Sequence, residues 1–181
     1  MCADCHSTNL QKGYDINADT FNTTWSEIDV SCEACHGPSS EHLKWANLPE
    51  MARPLNTNLG LVVQTSNIDN KSYVDLCARC HSRRSALEDY GYKWYDVLDQ
   101  MIPQLLTKPE YFADGQILDE DYVYGSFTQS RMYMEDVQCN DCHNVHSGQL
   151  VFQGNKLCLQ CHRSDVYDSY DHHFHKYEGI G

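Results

Sequence analysis

The chain has 181 residues, with 13 Lys and Arg against 26 Asp and Glu and a net charge of −13 when histidine is neutral. That balance excludes the basic stripe a nucleic-acid partner requires, and no apolar run approaches the roughly 20 residues that span a bilayer. Ten cysteines in a chain that is only 41% apolar describe a polypeptide short of ordinary core, so a bound group is expected to fill its middle.

The first element, Cys-Ala-Asp-Cys-His, places Cys2, Cys5 and His6 in a C-x-x-C-H pattern. The pattern returns at Cys32, Cys35 and His36 and again at Cys77, Cys80 and His81. From 82 to 138 there is neither cysteine nor histidine. Leu87, Tyr90, Trp94, Leu98, Met101 and Leu105 recur there at helical spacing, which predicts one amphipathic helix near 86–106, bent by Pro103, whose stripe packs over cofactor edges. The tyrosine-rich stretch 111–133 is expected to be loop-like. Two further patterns follow at Cys139, Cys142, His143 and at Cys158, Cys161, His162, and between them SGQLVFQGNK predicts a brief extended stretch ending in a Gly-Asn turn. The chain closes on a histidine cluster, His172, His173 and His175.

C-x-x-C followed directly by histidine is the attachment signature of c-type haem. The two thiols add across the haem vinyl groups, and the adjacent imidazole is held beneath the iron as its proximal ligand. Zinc ribbons use such pairs two at a time and do not require the histidine; disulfide frameworks have no use for it either. Five patterns consuming all ten cysteines therefore predict five covalently attached haem c groups, with His6, His36, His81, His143 and His162 as proximal ligands.

Five histidines remain, His42, His146, His172, His173 and His175, matching the number of sixth ligands that five irons need. They are the distal candidates, and methionine ligation is the minority alternative. His146 follows His143 by three residues, read as one turn along the same short segment, so it lies on the proximal side of its own haem and should reach a neighbouring one. His42, six residues past His36 with Pro38 ending any helix between them, follows the same logic. Each such histidine would pin two haems close together. Arg79, Arg83 and Arg84 flank the third site and either pair with haem propionates or form a solvated basic patch. The expected fold is mainly α with much irregular structure and little β. It is a single pentahaem domain over 1–181, with haems as the core: three sites in 1–81, a haem-free helical and loop segment in 82–138, and two sites with the histidine cluster in 139–181.

The pieces MCADCHSTNLQKGYD, TTWSEIDVSCEACHGP, ADGQILDEDYVYGSF and CNDCHNVHSGQLVFQGNKLCLQCH, followed by YDHHFHK, resemble multihaem c-type cytochromes related to the tetrahaem electron acceptor of hydroxylamine oxidoreductase. Some members of that wider family carry tetratricopeptide repeats. The CNDCHNVH…CLQCH piece is similar to the doubled C-x-x-C-H module, and that resemblance implies that the histidine of C-H-x-x-H, here His146, ligates another haem. It also implies that this chain is an internal segment of a longer cytochrome, with further haem sites before and after it and some axial ligands supplied from outside.

The expected function is electron transfer through closely spaced bis-histidine haems, as a carrier or conduit in respiratory or extracellular electron transfer, with no catalytic residue. The alternative is a haem oxidoreductase, similar to nitrite reductase or hydroxylamine oxidoreductase, with one open iron. No lysine follows any C-x-x-C, which removes one mark of the first, while twelve tyrosines leave the second open. Partners are expected to be redox proteins or identical subunits, the latter stacking as a filament. Haem attachment of this type requires export, so a periplasmic, cell-surface or extracellular location is expected.

Overall fold

The computed structural model describes residues 2–55, 58–89, 97–119 and 121–173. The chain divides into two compact units, Met1–Val137 and Gln138–Gly181.

The first unit opens with α1 (Cys2–Cys5), then a hairpin of β1 (Tyr14–Asp15) and β2 (Thr20–Phe21) whose stem is extended by the bridges Thr8–Glu27 and Gln11–Thr24. Next come α2 (Cys32–His36) and α3 (Ser40–Ala46). They are separated by Gly37, whose φ of 71° stops α2 in the left-handed region before Pro38. The longest helix among the described residues is α4 (Asn70–His81). The Asp69 carboxylate caps it by accepting the Ser72 N–H at 2.9 Å. Val74 and Ala78, one turn apart, turn its apolar side inward, and Ala78 clusters with Val97 and Met101 while Tyr124 packs against them. The buried Asp75 accepts from the Tyr124 hydroxyl at 2.9 Å and from Lys71 Nζ at 2.7 Å, so this buried carboxylate is satisfied.

Among the described residues the helix expected near 86–106 is broken at both ends. Arg84–Ala86 is a strand, β3; Val97–Gln100 is helical, α5; and Met101–Pro103 is a strand, β4. β3 and β4 pair antiparallel with Arg84 opposite Pro103, Ser85 opposite Ile102 and Ala86 opposite Met101. Tyr90 and Trp94 lie outside the described residues. Of the remaining stripe only Met101 is buried, while Leu87, Leu98 and Leu105 are exposed. The helical spacing was overridden because the backbone of 101–103 finds its partners across the chain in 84–86, and Pro103 tolerates a strand end better than a helix interior.

The tyrosine-rich stretch is also more ordered than its composition suggests. It contains α6 (Val123–Thr128) and leads into α7 (Arg131–Met134). Tyr111 is 1% exposed and donates its hydroxyl to the Tyr122 carbonyl at 2.8 Å. Tyr111→Phe removes this bond and leaves the acceptor in place; the expected loss is about 1 kcal/mol of stability, readable as a lower denaturation midpoint of the haem-loaded protein.

In the second unit, α8 (Cys139–Cys142) runs into a hairpin of β5 (His143–Asn144) and β6 (Gln149–Leu150). Two 3-10 turns, Gly154–Lys156 and Cys158–Gln160, then lead to α9 (Ser164–Tyr167) and α10 (Tyr170–His173). The extended stretch and Gly-Asn turn expected from SGQLVFQGNK are present as β6 and the turn at Gly154. Taken together, helices and irregular segments dominate, and strand is confined to three short two-stranded ladders among the described residues.

Candidate haem-attachment sites

Each C-x-x-C-H pattern sits on one tight turn. The amides of His6, His143 and His162 bond back to the carbonyls of Cys2, Cys139 and Cys158, at 3.0 and 2.9 Å for the first and third. His36 and His81 end α2 and α4, four residues after Cys32 and Cys77. Positions i, i+3 and i+4 share one face of such a turn, so both thiols and the imidazole of a motif address the same side. The ten cysteines form no disulfide with one another. Among the described residues no three His, Cys, Asp or Glu side chains converge as a metal-holding set.

Among the described residues, His42, His81 and His36 each have a ring nitrogen beside a hydrogen-bond partner. His42 Nδ1 lies 2.8 Å from the Leu59 carbonyl and His81 Nδ1 lies 3.2 Å from the Asp121 carbonyl. A carbonyl only accepts, so Nδ1 carries the proton and Nε2 keeps its lone pair. His36 Nδ1 lies 3.4 Å from Thr65 Oγ1. Anchoring one ring nitrogen in this way is how proteins orient imidazole ligands. His42, a distal candidate, shares an Nδ1 contact with the proximal His81 and His36.

The first three sites converge. Cys5, Cys35 and Cys80, the second cysteines of their motifs, line one shallow cleft together with Ala34, Leu76 and Arg79. Cys5 Sγ lies 3.8 Å from the Cys80 carbonyl oxygen. In the free polypeptide the Cys80 thiol donates to Cys5 and, with the Arg84 guanidinium beside it, holds the Cys5 thiol down to about 6 despite burial. The same bond, together with burial, pushes Cys80 up. Arg84 also pairs with Asp4 at 2.5 Å, and Arg83 with Glu110 at 3.4 Å. Each of these two arginines thus has a protein carboxylate as a partner.

In the second unit Gln160 Nε2 donates to the Asp141 carbonyl at 3.2 Å, tying the fourth and fifth motifs together. The Tyr167 ring packs against His162 at 4.4 Å and against His172 at 4.7 Å, which brings His172 to the fifth site. His146 sits in the β5–β6 hairpin turn, its N–H on Asn144 Oδ1 at 3.1 Å. The one-turn helical relation to His143 does not hold, because His143 is extended (φ −117°, ψ 137°) and the backbone reverses through Ser147 and Gly148. The side chain of His173 and the whole of His175 lie outside the described residues.

These residues fit covalent haem. The turns present matched ligand faces, and large apolar side chains close to the motifs in sequence remain exposed: Trp25, Val30 and Leu43 near the second motif, and Val145, Val151, Phe152 and Leu159 near the last two. None of the described residues of the second unit is buried. Sequence reasoning did not find Leu59, Thr65, Asp121 or Tyr167, since a backbone carbonyl carries no sequence signal and Tyr167 is one tyrosine among twelve.

Two family models match the chain. Residues 1–37 match the family Cytochrome c554 and c-prime, and residues 133–167 match the Doubled CXXCH motif family. Each covers about a fifth of the chain, one at either end. No curated protein and no solved structure matches it. Together with the motif geometry, the two matches support a multihaem c-type cytochrome with covalently bound haem and haem-based electron transfer. No helix among the described residues is long and apolar enough to cross a membrane.

Proposed function

We propose that this chain carries five c-type haems with histidine on both faces of each iron and passes electrons among them as a carrier or conduit. The observation that carries the reading is the meeting of Cys5, Cys35 and Cys80 at one cleft, which supports three attachment sites close enough for their haems to exchange electrons directly. Bound haem supplies the one-electron couple. The chain's own part is to hold the thioether anchors, present Nε2 of the axial imidazoles, and shield the centres with apolar side chains. His42, His146, His172, His173 and His175 are the proposed distal ligands. The families matched are mostly those of electron carriers, and c-type maturation supports an exported protein. Its proposed partners are other redox proteins or further copies of this chain stacked in a filament.

Intact mass and ferric spectroscopy of the matured protein test this. The expected result is the polypeptide plus five haems, all low-spin, with no fast carbon monoxide binding. Fewer haems, or a high-spin iron that binds carbon monoxide rapidly, would overturn it, the latter in favour of an oxidoreductase with an open site. Filaments or discrete particles in electron micrographs decide between identical subunits and other proteins as partners.

A further inference from the structure

One short segment touches two of the histidines assigned to iron. The Leu59 carbonyl anchors His42 Nδ1 at 2.8 Å. Four residues on, the Val63 N–H donates to the His36 carbonyl at 3.1 Å, and Thr65 Oγ1 lies 3.4 Å from His36 Nδ1. The segment is braced from inside, because Asn58 Nδ2 donates both to the Leu61 carbonyl at 3.0 Å and to the Val63 carbonyl at 2.9 Å. Val63 itself is 2% exposed.

The backbone is unusual where it meets His42. Leu59 has a φ of 51° and Gly60 a φ of 76°, two successive left-handed residues, the first of them not glycine. Such a leucine is strained, and strain of this kind persists only where the surroundings hold it and tends to sit at functional sites. Gly60 lies directly on α3: a Cβ there would stand 2.7 Å from the Glu41 carbonyl oxygen and 2.9 Å from the His42 nitrogen. Any side chain at 60 must therefore push the loop off the helix that carries His42.

We propose that residues 58–65 are one clamp that orients the imidazoles of His36 and His42 together, with Asn58 as its brace and Gly60 as its point of close approach. The clamp rests on the assignment of His42 as a distal ligand. A hydrogen bond to Nδ1 fixes a ligand's ring plane and raises its basicity, so one loop sets the field of two axial ligands, and movement at Asn58 reaches both.

The test uses the haem-loaded protein and low-spin ferric electron paramagnetic resonance, whose signals report the orientation of axial imidazole planes. Asn58→Ala is expected to shift two of the low-spin signals. Thr65→Val should shift one of that pair and Gly60→Ala the other, with the remaining signals and the haem count by mass unchanged. His42→Ala is the reference and should leave one iron high-spin and able to bind carbon monoxide. If His42→Ala leaves every iron low-spin, the ligand assignment falls and the clamp with it. If His42→Ala opens an iron while Asn58→Ala and Gly60→Ala leave the signal of that iron unmoved, the assignment stands and the clamp is overturned. Should Gly60→Ala lose haem during maturation, Asn58→Ala alone decides by the same criterion.

Discussion

Polypeptide produced without haem attachment is expected to be largely unfolded, with little dispersion in its amide proton spectrum and no cooperative thermal transition. Among the described residues only Leu10, Val63, Val74, Ala78, Val97, Met101 and Tyr111 form a buried apolar core, and all of them belong to the first unit. The second unit has none, while Val145, Leu150, Val151, Phe152, Leu159 and Val166 all remain exposed. A chain must bury apolar surface to offset about 1–2 kcal/mol of backbone entropy per ordered residue, and segments of this size without a core usually need a covalent or metal staple. Five haems would supply both the apolar surface and the staple. The second unit should lose its structure completely, whereas the cluster of Ala78, Val97, Met101 and Tyr124 can retain residual order. Circular dichroism of the haem-free chain through a thermal ramp checks this; a sharp melt would show that the protein core suffices.

A potentiometric titration of the loaded protein is expected to spread over a broad range of mostly negative potentials, with overlapping steps. Methionine as sixth ligand raises a haem potential, and paired imidazoles leave it lower. The net charge of −13 favours the ferric state further, because negative charge stabilises the more positive oxidation state. Electrons on neighbouring centres repel one another, so sites that converge as Cys5, Cys35 and Cys80 do should titrate at separated potentials even with identical ligands. The Arg84–Asp4 pair adds a local handle. Asp4→Asn should raise the potential of the nearest haem and Arg84→Gln should lower it, opposite shifts that a general loosening of the fold would not produce. A single sharp transition at clearly positive potential would sink both the bis-histidine ligation and the conduit.

The chemistry of this protein was legible in its sequence because haem attachment is local. Two thiols and an imidazole must share one turn, which compels the C-x-x-C-H spacing, and each pattern is found on the turn it requires. The scarcity of core was legible too, since composition alone limits what can be buried. What the sequence could not disclose were relations between distant segments. Arg84–Ala86 pairs with Met101–Pro103 and displaces a helix that the apolar spacing of 86–106 favoured, because a ladder across the chain satisfies backbone groups that local periodicity cannot weigh. His146 sits in a hairpin turn rather than one helical turn from His143, for the same reason: Gln149 and Leu150 fold back to pair with Asn144 and His143. The anchoring of His42 by Leu59 and of His81 by Asp121 depends on backbone carbonyls, which every residue has and no residue type announces. Which atoms can bind haem is fixed by residue identity and spacing. How the axial rings are held, and which sites meet, is decided by tertiary structure, because those relations are made by backbone groups and close approaches between segments 17 and 40 residues apart.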